Sequence, residues 1–497
     1  MTLNQTFAIS TGVVTLMLIA NLTHADPVSS NKSDQTEYKV VEAIDIALLT
    51  PVHPYPFIAS GWGPEVGNGL MASRWAEDWN NIGESHHVPL LKDMLIGDAA
   101  SLTLSSETRL RYAYYDNGQL KADNDYRQGL FRGILGADLH VNSNLRFYGE
   151  IGTGQVGGRR DDATANFKND ASLQQLFVDV RDYFGNALVG AMVGRQEYAD
   201  GLKQLISLSD GSNLHRTWNG VRVYVHRADF RVGLFDFRAT QLKQGAFDEA
   251  INDAEHIQGI SVSQIHSSNN DTNTYWDSFW IHSEKPNFRY AGTVGLDDRE
   301  TLGNRFWGSK GDFKFDITLA HQSGDFNDRD IDAWGLFAVN SYKLSHKGWK
   351  PKLTVHVDMA SGGGANGHGT IRGFNPLYAS SNYLAEGQFL SLSNLAMIAS
   401  GLSVTPTKQT NLSFEYGFAQ RLKDDDAVYA GGMRAYTNTQ KVAGREIGGL
   451  FRAIGTWSAS NFLTISINYE HLKAGKVFQL AQLPSSDYAY ADVTLRY

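Results

Sequence analysis

Three short segments carry the residue types of a serine hydrolase. His266 directly precedes two serines, His356 lies two positions before Asp358, and residues 84–87 combine a carboxylate, a serine and two histidines. A serine nucleophile needs a base, an orienting group and, as a rule, a recognisable turn that exposes its hydroxyl. None of the three segments contains such a motif, and the chain has no cysteine to act as a nucleophile instead. We therefore predict that the protein is not an enzyme.

The adjacent residues His86 and His87 are the best candidates for a metal site. Zinc is held by three or four ligands that converge on one ion, and neighbouring side chains do not converge easily. No third ligand is indicated nearby, and the lack of cysteine removes the thiolate sites. The sequence therefore predicts no metal and no cofactor.

Ionisable residues occur at alternate positions of apolar segments. Arg109 and Arg111 alternate with Leu110 and Tyr112, and the same period of two continues in residues 145–151, 221–226, 352–359, 412–418, 463–470 and 491–497. Because successive strand side chains point to opposite faces, each segment has one apolar and one polar face. A soluble β-sandwich alternates as well, but ionisable residues in so many strands favour a barrel with water inside and lipid outside.

The composition indicates strands and aromatic girdles. The chain has Gly 49, Tyr 22, Phe 25 and Trp 10 but only Pro 11. Its mean hydropathy of -0.32 is low for a membrane protein, because half of each spanning strand would face water. We predict an all-β transmembrane antiparallel barrel of about 16 to 20 strands, with short periplasmic turns. Long extracellular loops are expected at residues 154–172, 201–217, 243–274, 361–391 and 422–444.

The N-terminal residues have the pattern of an export signal. Residues 7–22 form an uncharged apolar run that is too short for a comfortable membrane span, and the small residue Ala25 follows. We predict a signal peptide over residues 1–25 and a periplasmic lead-in over 26–100, where alternation is irregular. Residues 101–497 are predicted to form the outer-membrane barrel. The net charge of -9 argues against a nucleic-acid partner.

Several motifs follow one another along the chain in a fixed order. They include residues 74–79 (RWAEDW), 193–197 (VGRQE), 211–218 (GSNLHRTW), 301–308 (TLGNRFWG) and 374–378 (FNPLY). Together they resemble the alginate-export family of Gram-negative outer-membrane β-barrel proteins. The resemblance implies about eighteen strands around a narrow passage. In the best-understood branch of the family, that passage is electropositive and exports the polyuronate alginate.

The resemblance also implies which residues lie on the solute path. These are Arg195, Gln196, Arg216, Arg305 and Asn375. A polyuronate carries one carboxylate per sugar, and Arg binds carboxylates through planar, bidentate hydrogen bonds. The alternative for each charged residue is an ion pair with a neighbouring carboxylate that holds a loop or strand in place. Asn375, which precedes a proline, favours a turn over solute binding.

The sequence therefore predicts an outer-membrane channel whose arginine-lined lumen exports an anionic polysaccharide of the alginate type. An uptake porin for small acidic solutes, such as oligouronates and organic or aromatic acids, is the alternative, and the sequence does not separate the two. A third interpretation is a structural barrel or adhesin with a closed lumen. The expected partners are the solute, the lipid bilayer with its lipopolysaccharide and, for an exporter, a periplasmic export complex.

Overall fold

The computed structural model describes residues 67–79, 88–97, 99–158, 163–200, 204–269, 271–365 and 367–497. In these ranges, eighteen antiparallel strands form one closed barrel in which each strand is hydrogen-bonded to the next along the chain and the last to the first. The predicted fold class is confirmed. The predicted signal peptide and residues 84–87 lie outside the described ranges.

The barrel strands are numbered β1 to β18 in chain order. They are β1 Ala100–Asp116, β2 Tyr126–His140, β3 Leu145–Gly157, β4 Asn169–Phe184, β5 Ala187–Glu197, β6 Thr217–His226, β7 Phe230–Gln241, β8 Ala250–Ser268, β9 Thr272–Tyr290, β10 Thr293–Lys310, β11 Phe313–Phe326, β12 Arg329–Lys343, β13 Lys352–Ala360, β14 Leu395–Thr407, β15 Thr410–Gln420, β16 Glu446–Ser458, β17 Leu463–Ala474 and β18 Ser486–Arg496.

Shorter elements accompany the barrel. Gly67–Asn68 pairs in parallel with Glu77–Asp78, Tyr429–Ala430 pairs with Arg434–Ala435, and Met94–Ile96 extends the wall beside the start of β1. The described helices are α1 Lys476–Leu480 and the 3-10 turns Arg74–Ala76, Gly118–Leu120, Ser381–Tyr383, Gly431–Met433 and Thr439–Lys441. None of them has the length and hydropathy of a membrane-spanning helix.

The two faces of the wall differ as the alternation predicts. On β1, the side chains of Arg109 and Arg111 are 3% and 7% exposed and point into the barrel, whereas Leu110 and Tyr112 are 52% and 56% exposed. The last strand repeats the pattern, because Asp492 is buried and Val493 is exposed. Large apolar side chains stand on the outside of most other strands in the same way. A continuous apolar outer band of this kind suits lipid rather than water.

The connections at the two ends of the barrel differ in length. At one end they are mostly short turns, such as residues 185–186, 227–229 and 408–409. At the other end lie the longest loops, at residues 198–216, 361–394 and 421–445. Outer-membrane barrels place short turns in the periplasm and long loops outside the cell, so we assign the two ends accordingly.

The expected loop over residues 243–274 is wrong. The structure places β8 across this segment and leaves only a loop at 242–249 and a turn at 269–271. The first half of β8 carries Asn252, Asp253 and His256 among its residues and so lacks a clear apolar face. A strand that extends beyond the lipid has water on its outer face, which removes the alternation on which the prediction relied.

Two long loops fold into the barrel rather than away from it. The rings of Phe374 in the 361–394 loop and Phe337 on the inner face of β12 are 5.5 Å apart. Tyr429 in the 421–445 loop stacks on Tyr290 of β9 at 5.8 Å. The helix α1 adds Phe478, which packs against the 421–445 loop. An apolar core therefore fills much of the lumen near the long-loop end and narrows the space left for solute.

Candidate functional site

Arg195, at the end of β5, is bonded to two residues of the wall and to one residue of a neighbouring loop. Its Nε donates to the side-chain oxygen of Asn219 at 2.9 Å, and Nη1 donates to the carbonyl of Leu173 at 2.7 Å. The same nitrogen lies 3.0 Å from Glu249 in the 242–249 loop, and the Arg195 side chain is 12% exposed. Glu249 also accepts the backbone N–H of Leu173. This geometry is that of an ion pair that fastens the 242–249 loop across the wall.

Gln196, the next residue, is fully buried in the wall. Its amide nitrogen lies 3.4 Å from the carbonyl of Met192 and 3.5 Å from those of Gly194 and Gly220. The side chain thus sits between β5 and β6. Its exposed fraction is 0%, so it presents no surface to solute in this conformation.

Arg305, on the inner face of β10, is held by two carboxylates. Asp316 on the neighbouring strand accepts from Nε at 2.9 Å and from Nη2 at 2.5 Å, and Asp277 accepts from Nη1 at 3.1 Å. The guanidinium also lies 4.5 Å from the ring centroid of Trp307. With two anions against one cation, this cluster does not offer a positive charge to a passing carboxylate.

Asn375 anchors the inward 361–394 loop. Its side-chain oxygen accepts the backbone N–H of Leu377 at 2.9 Å, which is the hydrogen bond of an Asx turn. Its amide donates to Asp297 of β10 at 3.0 Å, and its backbone N–H and carbonyl are both bonded to Gln322 of β11. These contacts fix the loop to the inner wall.

Among the described residues, Arg216 is hydrogen-bonded to backbone carbonyls and not to a carboxylate. It is half-buried at the end of the 198–216 loop, and its Nη1 donates to the carbonyls of Ser207 and Tyr378 at 3.0 and 2.7 Å. Its guanidinium carbon lies 5.1 Å from the Tyr378 ring centroid. The structure thus separates Arg216 from the carboxylate-bound Arg195 and Arg305.

A second cation, missed from the sequence, joins Arg216 at the same ring. Lys285 of β9 places its Nζ 4.9 Å from the Tyr378 centroid, and its side chain is 36% exposed. Among the described residues, the carboxylate in direct contact with this group is that of Glu255, which lies 3.2 Å from Lys285 Nζ and accepts the Tyr378 hydroxyl at 2.9 Å. We call Arg216, Lys285, Tyr378 and Glu255 the vestibule cluster. Two cations against one anion leave it with a net positive charge.

A small cavity of about 280 Å³ adjoins the vestibule cluster. Its lining includes Asn166, Ser209, His215, Arg216, Thr217 and Thr240. This volume lies just below the usual range for small-molecule sites, which is about 300–1,000 Å³. Hydroxyl, amide and cationic groups around a space of this size suit a small acid or an acidic sugar.

Behind the cavity, His215 bridges two carboxylates. Its Nδ1 lies 2.5 Å from Glu197 and its Nε2 lies 2.8 Å from Asp210. Burial and the neighbouring Arg132 oppose protonation of the ring, but Glu197 and Asp210 outweigh them and raise the pKa of His215 to about 9. Asp210 also lies 2.7 Å from Arg132. The 198–216 loop is therefore bound to the wall by a network of charges.

A separate group of possible metal donors lies on the outer face of β9 and β10. Donor atoms of His282, Glu284 and Asp298 lie within 4.8 Å of one another. The imidazole of His282 is already bonded to Asp298 at 2.7 Å and to Gln258 at 3.1 Å. This group faces away from the lumen, and the absence of metal and catalysis in the channel stays a prediction.

The vestibule cluster has no signal in the sequence that would single it out. Tyr378 falls in the FNPLY motif, but Lys285 and Glu255 lie on strands where a charge every second residue is ordinary. Their common position depends on the 361–394 loop, which brings Tyr378 to β8 and β9. Only the folded chain therefore identifies them.

Comparison with known proteins gives a family and a fold. The model of the alginate-export family matches residues 100–492. No curated protein sequence matches the chain. The family match covers the barrel except for the last residues of β18 and confirms the resemblance that the motifs suggest.

Three solved structures show the same architecture. Pseudomonas aeruginosa OccK5 (OpdH) is 11% identical, with a TM-score of 0.53 over 80% of this chain and 97% of that one. Pseudomonas aeruginosa OpdK, crystallised with vanillate, is 11% identical, with a TM-score of 0.51 over 79% and 98%. A BenF-like porin from Pseudomonas fluorescens Pf-5 is 11% identical, with a TM-score of 0.52 over 79% and 98%. At these identities the likeness concerns the fold alone.

Proposed function

Since the chain belongs to the alginate-export family of outer-membrane proteins, we propose that it is a channel that passes small acidic solutes, such as organic acids and oligouronates. The observation that carries the proposal is the vestibule cluster, where Arg216 and Lys285 both lie about 5 Å from the ring of Tyr378. We infer that a carboxylate entering from the long-loop end is attracted by this excess of positive charge. An excess of positive charge raises the local concentration of anions at the mouth of the passage.

Polyuronate export stays a prediction. A polymer with one carboxylate per sugar needs cations repeated along its route. Arg195 and Arg305, the residues predicted from the sequence to supply these cations, are bound to carboxylates of the protein itself. The vestibule cluster beside a small cavity suits a short acid better than a long polyanion.

The test is the charge selectivity of the purified protein in planar bilayers. The native channel should show an anion-selective reversal potential in a salt gradient, and Arg216→Gln combined with Lys285→Gln should reduce that selectivity at least threefold. Lys347→Gln, in the exposed 344–351 turn, is the matched control that removes a positive charge away from the lumen. Cation selectivity of the native channel, or selectivity unchanged in the double variant, would overturn the proposal.

Solute size separates the two transport functions. Proteoliposomes should swell faster in glucuronate or in an aromatic acid such as vanillate than in glucose of the same concentration. Long polyuronate chains are then compared with short acids in the same channel. If the long chains block the current at lower concentration and also pass through the channel, the result favours polymer export and contradicts our proposal.

A further inference from the structure

A segment of the chain outside the barrel wall occupies the lumen at the short-turn end. Residues 71–79 precede β1, and we call them the plug segment. Trp75 is its most buried large side chain, with an exposed fraction of 1%. It packs into an inner-wall pocket formed by Tyr148 of β3, Phe177 of β4 and Tyr224 of β6, together with Met192 of β5. The ring of Trp75 meets that of Phe177 edge-on at 6.3 Å.

Polar contacts to both the side chain and the backbone of Trp75 hold this residue on the wall. The indole N–H of Trp75 donates to Glu197 at 3.1 Å, and Arg146 donates to the Trp75 carbonyl. The guanidinium carbon of Arg222 lies 5.4 Å from the Trp75 ring centroid. Arg146 lies next to the 141–144 turn, whereas Glu197 ends β5. The plug segment therefore contacts the wall near the short-turn rim and, through the indole of Trp75, also Glu197 at the end of β5.

A second set of contacts ties the plug segment to the rim. Arg74 donates to the carbonyl of the terminal Tyr497 at 3.0 Å and is paired with Glu77. Glu77 also pairs with Lys92 at 3.0 Å, and both of these side chains are buried. Charges buried in this way are costly unless paired, so the contacts favour one bound position.

The plug segment is bound to the barrel without being part of it. Its strand residues Glu77–Asp78 pair with Gly67–Asn68, and among the described residues no barrel strand shares a ladder with them. Withdrawal would break side-chain contacts but would leave the eighteen-stranded ladder intact. A bound segment with this property can leave and return while the wall stays closed.

We propose that residues 71–79 form a removable plug, bound in the pocket of Tyr148, Phe177 and Tyr224, whose withdrawal opens the channel. The inference rests on the proposed function, since it describes the closed state of the same channel. The pocket is an interaction surface for a segment of this chain, and Trp75 is the group that fills it. When the plug segment leaves, the inner wall gains an accessible cluster of aromatic rings and guanidinium groups.

The experiment measures conductance in planar bilayers. Trp75→Ala should raise the mean single-channel conductance or the open fraction at least threefold. Trp75→Phe keeps an aromatic ring but loses the hydrogen bond to Glu197, so its conductance and open fraction should lie between those of the native protein and of Trp75→Ala. Trp349→Ala, an exposed tryptophan in the 344–351 turn, is the matched control and should behave as the native protein. If Trp75→Ala has the same conductance and open fraction as the native protein, the proposal of a removable plug is wrong.

Cysteine labelling gives a second, independent readout, because the chain has no native cysteine. Ala76 is fully buried beside Trp75, so Ala76→Cys should react slowly with a water-soluble maleimide. The reaction should become at least tenfold faster when Trp75→Ala is added. Equal rates in the two backgrounds would overturn the proposal, provided that both proteins show the heat-dependent gel migration of a folded barrel.

The two proposals fail in different ways. If Trp75→Ala opens the channel but its current is cation-selective, the plug stands and the acidic-solute function fails. If the current is anion-selective but independent of Trp75, the function stands and the plug fails.

Discussion

Glu197 and His215 join the two inserted parts of the lumen. One carboxylate oxygen of Glu197 lies 2.5 Å from Nδ1 of His215, which belongs to the loop that lines the vestibule. The other oxygen accepts the indole N–H of Trp75 in the plug segment. A single carboxylate at the end of β5 thus contacts the loop from the outer mouth and the segment from the periplasmic mouth.

The first prediction concerns the pH dependence of this contact. The pKa of His215 is raised from its ordinary 6.5 to about 9, so protonated His215 stabilises the folded state. The stabilisation is complete below about pH 6.5 and is lost as the pH rises through about 9, with a magnitude of about 3 kcal/mol. The unfolding temperature of His215→Gln in detergent should fall several degrees below that of the native protein at pH 6. The difference in unfolding temperature between the two proteins should be smaller at pH 10. A difference that does not change with pH would contradict the assignment of the raised pKa to His215.

The second prediction tests whether Arg195 binds solute or holds a loop. Because Arg195 is paired with Glu249, Arg195→Gln and Glu249→Gln should each make the 242–249 loop more sensitive to protease, and the double variant should be no worse than either single one. Anion selectivity should change less than twofold. A selectivity loss in Arg195→Gln that Glu249→Gln does not reproduce would assign Arg195 to the solute path instead.

The third prediction concerns Asn375 and the inward loop. Asn375→Ala removes the Asx turn and the bond to Asp297, so the 361–394 loop should become more mobile. The channel should show larger current fluctuations with unchanged charge selectivity. Asn382→Ala, at an exposed position of the same loop, serves as the control. Current noise equal to that of the native channel would show that the other contacts of the loop suffice.

The fourth prediction concerns the lipid-facing wall. Ile467 of β17 is 58% exposed and is followed by the buried Asn468 on the opposite, inner face, so Ile467 faces the hydrocarbon of the membrane. Ile467→Arg should destabilise the folded barrel by about 2–4 kcal/mol in bilayers, whereas Ile467→Leu should have little effect. Denaturant unfolding in lipid vesicles measures the difference. Equal stability of both variants would place this face outside the membrane.

Much of the architecture follows from short-range pattern. A period of two fixes which face each side chain takes, because strand geometry alternates regardless of what lies elsewhere. For this reason the sequence correctly predicts the barrel and its outer-membrane location, and the family match agrees. The loop predicted over β8 is wrong because the pattern weakens where a strand leaves the lipid.

The roles of individual charges do not follow from local pattern. Arg195, Arg216 and Arg305 look alike in the sequence, yet Arg305 faces two aspartates from adjacent strands and Arg216 faces a carbonyl 162 residues away. Which charge is neutralised depends on strand register and on how far each loop folds into the lumen.

The sequence by itself thus determined a cylinder that is polar within and apolar without, since that property repeats in every strand. The tertiary structure alone decided that Lys285 joins Arg216 at Tyr378 and that Trp75 fills the inner pocket. The physical reason is that electrostatic and packing contacts depend on distance in space, and residues far apart in the chain become neighbours only when the barrel closes around its inserted segments.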